Sequence, residues 1–149
     1  MSCEDMRIVI DSREQLPLKF RKDIETVTRK LDVGDYSIDG YENKIAIERK
    51  SPSDLFGSLG KGHQRFKREI QRAEDYDYFG ILVEAPFKAI YNKEFVGSEY
   101  SKMKGDVIVQ ICYTLKFKYG VDIIFCNGRK EAKSLIRQLF KAWLKLRGK

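Results

Sequence analysis

Residues 34–54 read GDYSIDGYENKIAIERKSPSD, and this stretch decides how the rest of the chain is arranged. Two β-favouring runs, 36–38 and 44–50, flank the turn pair Asp39-Gly40, which predicts a hairpin. Asp35 falls in the first predicted strand, Glu48 and Lys50 in the second. Side chains alternate across a strand, so Glu48 and Lys50 project from one face and Ile45, Ile47 and Arg49 from the other. Two carboxylates and an ammonium converging on one side form a set able to hold a Mg²⁺-type ion and orient a water beside a phosphodiester. Such groups are expensive to half-bury unless they serve a ligand or each other. Spacing alone leaves both readings open, a ligand site and a structural ion pair. The tripeptide Glu-x-Lys carries little by itself, since Glu42–Lys44 and Glu131–Lys133 repeat it in polar surroundings.

Outward from the hairpin, the elements alternate. Residues 7–11 are a short apolar run ending in an acid, and 26–28 and 31–33 read as extended. Ser51 and Pro52 predict the N-cap and first position of a helix, which the glycines at 57, 60 and 62 keep short. A second helix is expected over 64–74, strands over 78–84 and 121–126, and helices over 106–119 and 130–146. Residues 86–104 are irregular, with room for one short helix. The pattern predicts an α/β sandwich around a mixed sheet.

Composition bounds the rest. At 149 residues the chain is read as one domain, long enough for a real core. A net charge of +7 and a pI near 9.3 favour a polyanionic partner. No apolar run approaches the roughly 20 residues of a membrane span, and no signal peptide precedes Arg7. Three cysteines, Cys3, Cys112 and Cys126, lack metal-ligand spacing and predict reduced thiols in a cytoplasmic or, in a eukaryote, nuclear setting. The segment Gly57-Ser-Leu-Gly60-Lys61-Gly62 lacks the spacing and context of a phosphate loop, which argues against a nucleotide cofactor.

Asp11-Ser12-Arg13-Glu14 after the first strand, Gly34-Asp35-Tyr36, and Glu48-Arg49-Lys50 followed by Asp54-Leu55 resemble the XPF/Mus81 (ERCC4-type) nuclease domain with its GD-x(n)-ERK-x(3)-D signature. Residues 80–84 (GILVE) resemble that family's next central strand. The resemblance runs from Arg7 to the last helix. It implies a restriction-endonuclease-like fold and Mg²⁺-dependent hydrolysis of DNA, with Mn²⁺ able to substitute. The implied substrates are flaps, forks or other single-strand/double-strand junctions. The helicase and helix–hairpin–helix modules of larger members are missing, so the chain is read as a standalone nuclease or one excised from a longer protein. Two other readings remain: a catalytically silent DNA-binding or dimerisation module, and an RNA-processing nuclease.

The site residues divide by role. Asp35 and Glu48 are expected metal ligands, joined by Asp11, and the resemblance assigns the first two the same role. Lys50 would hold the attacking water or a phosphate oxygen. Glu14 is an acid at the edge of the first strand, where the family places active-site acids. Arg13 and Arg49 either contact phosphate or neutralise the acids. Asp54 is both a site acid of the motif and part of a capping arrangement with Ser51. Tyr36 is read as packing. Lys61, His63 and the helical row Arg65, Arg68 and Arg72 are expected to grip DNA, against the plain alternative of a solvated face. In the last helix, Leu139, Phe140, Trp143 and Leu144 belong to an apolar arc wider than one sheet requires, which predicts a homodimer with Phe140 and Leu144 at the outer edge.

Overall fold

A computed structural model describes residues 6–147. Its core is one mixed six-stranded sheet in the order β2-β1-β3-β4-β5-β6. The strands are β1 (Arg7–Asp11), β2 (Glu25–Arg29), β3 (Tyr36–Ile38), β4 (Ile45–Lys50), β5 (Tyr78–Val83) and β6 (Val121–Phe125). Strand β3 is antiparallel to both β1 and β4, while β1–β2, β4–β5 and β5–β6 are parallel. The carboxyl ends of β1, β4, β5 and β6 therefore share one edge, and charged residues finish β1 and β4 there.

Helices cover both faces, as the alternation of strands and helices predicts. On one face α1 (Pro52–Leu59), α2 (His63–Arg72), α3 (Phe87–Tyr91) and α4 (Gly105–Tyr119) enclose Ala46, Phe79, Ile81 and Val83. On the other, α5 (Arg129–Arg147) packs over Ile8, Ile10, Ile45, Ile47 and Leu82. Helix α1 starts as expected: the Asp54 amide donates to Ser51 Oγ at 3.1 Å and Pro52 takes the first position. Gly57 lies inside α1 rather than ending it, and the helix stops at Gly60. Among the described residues, no helix is long and apolar enough to cross a membrane.

Two local expectations are corrected. Residues 31–33 form no strand, because the Leu31 amide donates to Asp11 Oδ1 at 2.8 Å and the chain turns there. Asp35 precedes β3 rather than lying in it. Its backbone nevertheless bridges two strands, accepting from the Asp11 amide and donating to the Ile47 carbonyl, both at 2.8 Å. Gly34 permits this, with φ of +75° and no room for a Cβ, which would stand 3.0 Å from both Ala46 Cβ and the Ile47 carbonyl oxygen.

The arc on α5 has a different explanation from the one expected. Ala132, Ile136, Phe140 and Leu144 recur every fourth residue and are buried against the sheet, Phe140 completely. Leu135, Leu139 and Trp143 flank that stripe and pack on the same cluster. Trp143 meets Tyr41 edge-on with ring centroids 5.2 Å apart, and the Arg147 guanidinium covers it at 4.7 Å. The arc is wide because this helix lies deep in its own core, so Phe140 and Leu144 mark its centre and not an outer edge. Phe140→Glu is therefore expected to abolish folding. It removes a buried ring, a loss of about 3–5 kcal/mol, and buries an unpaired charge in addition. A soluble variant with a cooperative thermal melt near that of the wild type would overturn this placement.

Candidate active site

Strand β4 carries the site because its alternation sends Glu48 and Lys50 to the α1–α2 face while Arg49 turns to the α5 face. Asp35 and Glu48 line one cleft of about 280 Å³ together with Asp11, Asp32, Glu69, Arg65 and Arg72. Asp35 Oδ2 accepts the Arg49 backbone amide at 2.8 Å, which fixes its rotamer toward the cleft. Burial is the largest cause pushing the Asp35 pKa up to about 7, and the charges of Glu48 and Glu14 add to it. Glu48 is raised as well: desolvation leads, Lys50 opposes it, and Glu69 adds to it.

Lys50 Nζ lies 3.2 Å from Glu48 Oε2, donates to Ser58 Oγ at 2.9 Å and sits 5.3 Å from the centre of the Phe66 ring. Glu48 Oε2 is buried and, despite that ion pair, has no hydrogen-bond partner. Its nearest charge is the Lys50 ammonium, and a hard cation is a further partner that suits a carboxylate oxygen. No group of three or more His, Cys, Asp or Glu side chains among the described residues converges to hold a metal ion. Asp35 and Glu48 are the carboxylates of this cleft that would face a divalent ion, and Mg²⁺ is bound through as few as one or two carboxylates.

Asp11 departs from the three-ligand expectation. Its Oδ1 accepts from the Leu31 amide at 2.8 Å, and its Oδ2 accepts from Arg13 Nε at 3.1 Å. Both oxygens are thus engaged in clamping the turn that follows β2, and Arg13 also donates to the Leu31 carbonyl at 2.8 Å. Arg13 is held at the rim of the cleft as a partner for an acid.

The sequence model of the ERCC4 domain matches residues 10–139, most of the chain and every residue of this site. The chain belongs to the ERCC4 domain family. Among solved structures it is similar to XPF from Aeropyrum pernix, with a TM-score of 0.69 at 22% identity, covering 95% of this chain and 69% of that one. It is likewise similar to XPF from Aeropyrum pernix in complex with DNA, with a TM-score of 0.69 at 25% identity, covering 94% of this chain and 66% of that one. The chain thus spans about two-thirds of the length of each. No curated protein matches it.

Within this ERCC4 fold the remaining expected residues fall in three places. Arg65 and Arg72 line the acid cleft, whereas Arg68 is exposed on α2 and does not. Asp54 is exposed and lines a neighbouring hollow beside Lys50, so it serves as a helix-start residue within reach of the site. Lys61 and His63 line a third hollow further out. Glu14 is on the opposite side of β4, where its Oε2 accepts from Arg49 Nη1 at 3.1 Å, and Glu84 accepts from Arg49 Nε. The Arg49 side chain thus pairs with acids on the α5 face, and only its backbone amide reaches Asp35. Tyr36 is fully buried, with Phe20 edge-on at 5.9 Å, in keeping with packing. Cys112 and Cys126 are free and buried, and Cys3 lies outside the described residues.

Glu69 and Glu84 were not anticipated. Glu69 had a signal, since it stands four residues after Arg65 and three before Arg72 on one helical stripe. Attention to the basic row alone hides the acid within it.

The raised pKa of Asp35 has a measurable consequence. A carboxyl raised from 3.8 to about 7 binds its proton more tightly folded than unfolded. Its contribution is intact below pH 4 and is lost as pH rises through 7. The full shift corresponds to roughly 4 kcal/mol at most. In chelator, wild-type stability minus that of Asp35→Asn should therefore fall between about pH 4 and pH 7, and Mg²⁺ should reverse the fall at pH 8. A difference flat across that range in urea titrations would refute the burial argument.

Proposed function

We propose that this chain is a divalent-metal-dependent DNA endonuclease that cuts at single-strand/double-strand junctions. The observation that carries the reading is the pair Asp35–Glu48, half-buried in one cleft, with a Glu48 oxygen that lacks a hydrogen-bond partner, and bordered by Arg65 and Arg72. Membership in the ERCC4 domain family and likeness to an XPF structure solved with DNA support nucleic acid as the substrate. A divalent ion bound there would supply Lewis acidity and a water of lowered pKa. Asp35 and Glu48 would hold it, Mg²⁺ first and Mn²⁺ as a substitute. Lys50, fixed by Ser58 and Glu48, places an ammonium where negative charge develops on the phosphorane oxygens. Arg65 and Arg72 grip backbone phosphates across the cleft from the acids.

The test uses the purified chain on end-labelled flap, fork, duplex and matched RNA substrates, with Mg²⁺, Mn²⁺ or chelator. Cleavage of flap and fork DNA only with metal supports the reading. Cleavage in chelator refutes metal dependence, preferential cutting of RNA favours an RNA-processing nuclease, and tight binding without cleavage favours a silent module. Homodimerisation belongs to the same proposal, but through α4, where Phe117 is 85% and Tyr113 46% exposed. Light scattering that finds a monomer at high micromolar concentration removes it.

A further inference from the structure

The acid cleft is the first of three connected hollows. It shares Arg65 and Glu69 with a second, of about 360 Å³, beneath Lys50 and Asp54. That one shares Ser53 and Gly57 with a third, of about 670 Å³. Along this trough the chemistry changes from carboxylate to ammonium to aromatic. Phe56 and Phe95, their ring centroids 4.9 Å apart, line the third hollow together with Met103. Tyr100, 88% exposed, lines it as well, and Lys61, His63 and Lys102 add positive or polar groups that are exposed to solvent.

The backbone packs closely at two glycines that line this space. A Cβ at Gly60 would stand 3.0 Å from the Phe56 carbonyl oxygen and 3.2 Å from Met103 Sδ. Gly97 has φ of +92°, and a Cβ there would press on Ser53 Oγ at 2.8 Å. Ser53 Oγ donates to the Val96 carbonyl at 3.2 Å, and Lys93 Nζ donates to the Ser101 carbonyl, so both ends of the loop that carries Tyr100 are tied down.

An apolar hollow of this size suits a flat organic group, and lysines beside exposed aromatic rings suit a base with its flanking phosphates. A base inside a duplex has both faces stacked already and cannot enter. We propose that this hollow receives one unpaired nucleobase of the strand that occupies the acid cleft, stacked on Tyr100, with adjacent phosphates on Lys61 and Lys102. The proposal rests on nucleic acid occupying the acid cleft, and it locates a requirement for single-stranded character in this chain itself.

The test is a double-mutant cycle in chelator, where nothing is cut. Fluorescence anisotropy measures affinity for forked DNA whose unpaired arm carries a single abasic site, moved one nucleotide at a time. Wild-type protein should lose affinity roughly 5- to 100-fold at one position, the range of one base–aromatic stack. Tyr100→Ala should lose a similar factor on intact DNA and nothing further at that position, while Tyr100→Phe should behave as wild type. Because Tyr100 is so exposed, the fold of these variants should survive, and circular dichroism checks that it does. Uniform sensitivity along the arm, or additive losses in Tyr100→Ala, overturns the pocket. Cleavage with Mg²⁺ in the absence of a sensitive position refutes the pocket alone. One sensitive position without any cleavage supports the pocket and refutes the nuclease reading.

Discussion

Replacing Glu48 by glutamine is expected to lower turnover on forked DNA by roughly 10³-fold, the upper end of what one preorganised electrostatic group supplies. Folding should be unharmed. Two effects compete in the stability of this variant. The change removes the ion pair with Lys50 at 3.2 Å, which is destabilising on its own. It also removes a carboxylate whose pKa is raised, with burial as the leading cause and Lys50 unable to reverse it. The net sign decides: ionised Glu48 is less comfortable folded than unfolded, so a neutral side chain of equal volume should keep or raise the melting temperature. Lys50 retains its hydrogen bond to Ser58 and its place over Phe66, so it should not be stranded. Single-turnover cleavage, a thermal melt and calorimetric titration with Mg²⁺ separate the terms. Turnover near the wild-type value with Mg²⁺ would sink the ligand assignment, and a large fall in melting temperature would show the pair to be structural.

How far the site could be read from the chain depended on whether its contacts were local. Alternation along β4 is a property of any strand, so the face of Glu48 and Lys50 and the opposite face of Arg49 were legible from six residues. The capped start of α1 was legible for the same reason, since Ser51, Pro52 and Asp54 act within one turn. Asp35 could be placed near a strand but not outside it, because its amide and carbonyl join the same ladders that a strand residue would join. The illegible parts are those where distant segments meet. Residues 31–33 turn away from the sheet because of a carboxylate 20 positions earlier. The width of the α5 stripe reflects how closely Trp143 packs against Tyr41, with the helix's own Arg147 lying over both rings, and periodicity within the helix cannot report that. The position of Glu14 near Asp11 in the chain suggests a site acid, and only the approach of Arg49 shows it on the other face.

That last cluster yields the second large effect. Arg49→Ala is expected to destabilise the protein by about 3–5 kcal/mol, the usual loss when one partner of a buried charge pair is removed. In a chain of this size that amounts to a fall of roughly 10–15 °C in melting temperature. The guanidinium is 11% exposed and holds Glu14 and Glu84, themselves 11% and 17% exposed. It also donates to the Leu16 carbonyl and to Tyr36 Oη, so it ties β4 to the loop after β1 and to the end of β5. Burial pulls its pKa down, and the bonds to Glu84 and Tyr36 more than reverse that, which marks a satisfied charge. Without it two carboxylates remain close together, half-desolvated and mutually repelling. Glu14→Gln combined with Glu84→Gln should therefore recover much of the loss in the Arg49→Ala background, while destabilising the wild type. A phosphate-contacting arginine would give the opposite pattern, with stability unchanged and no rescue by neutral partners. Urea unfolding of the four proteins decides between the two, because an interaction energy near zero between Arg49 and the two glutamates leaves the clamp without support.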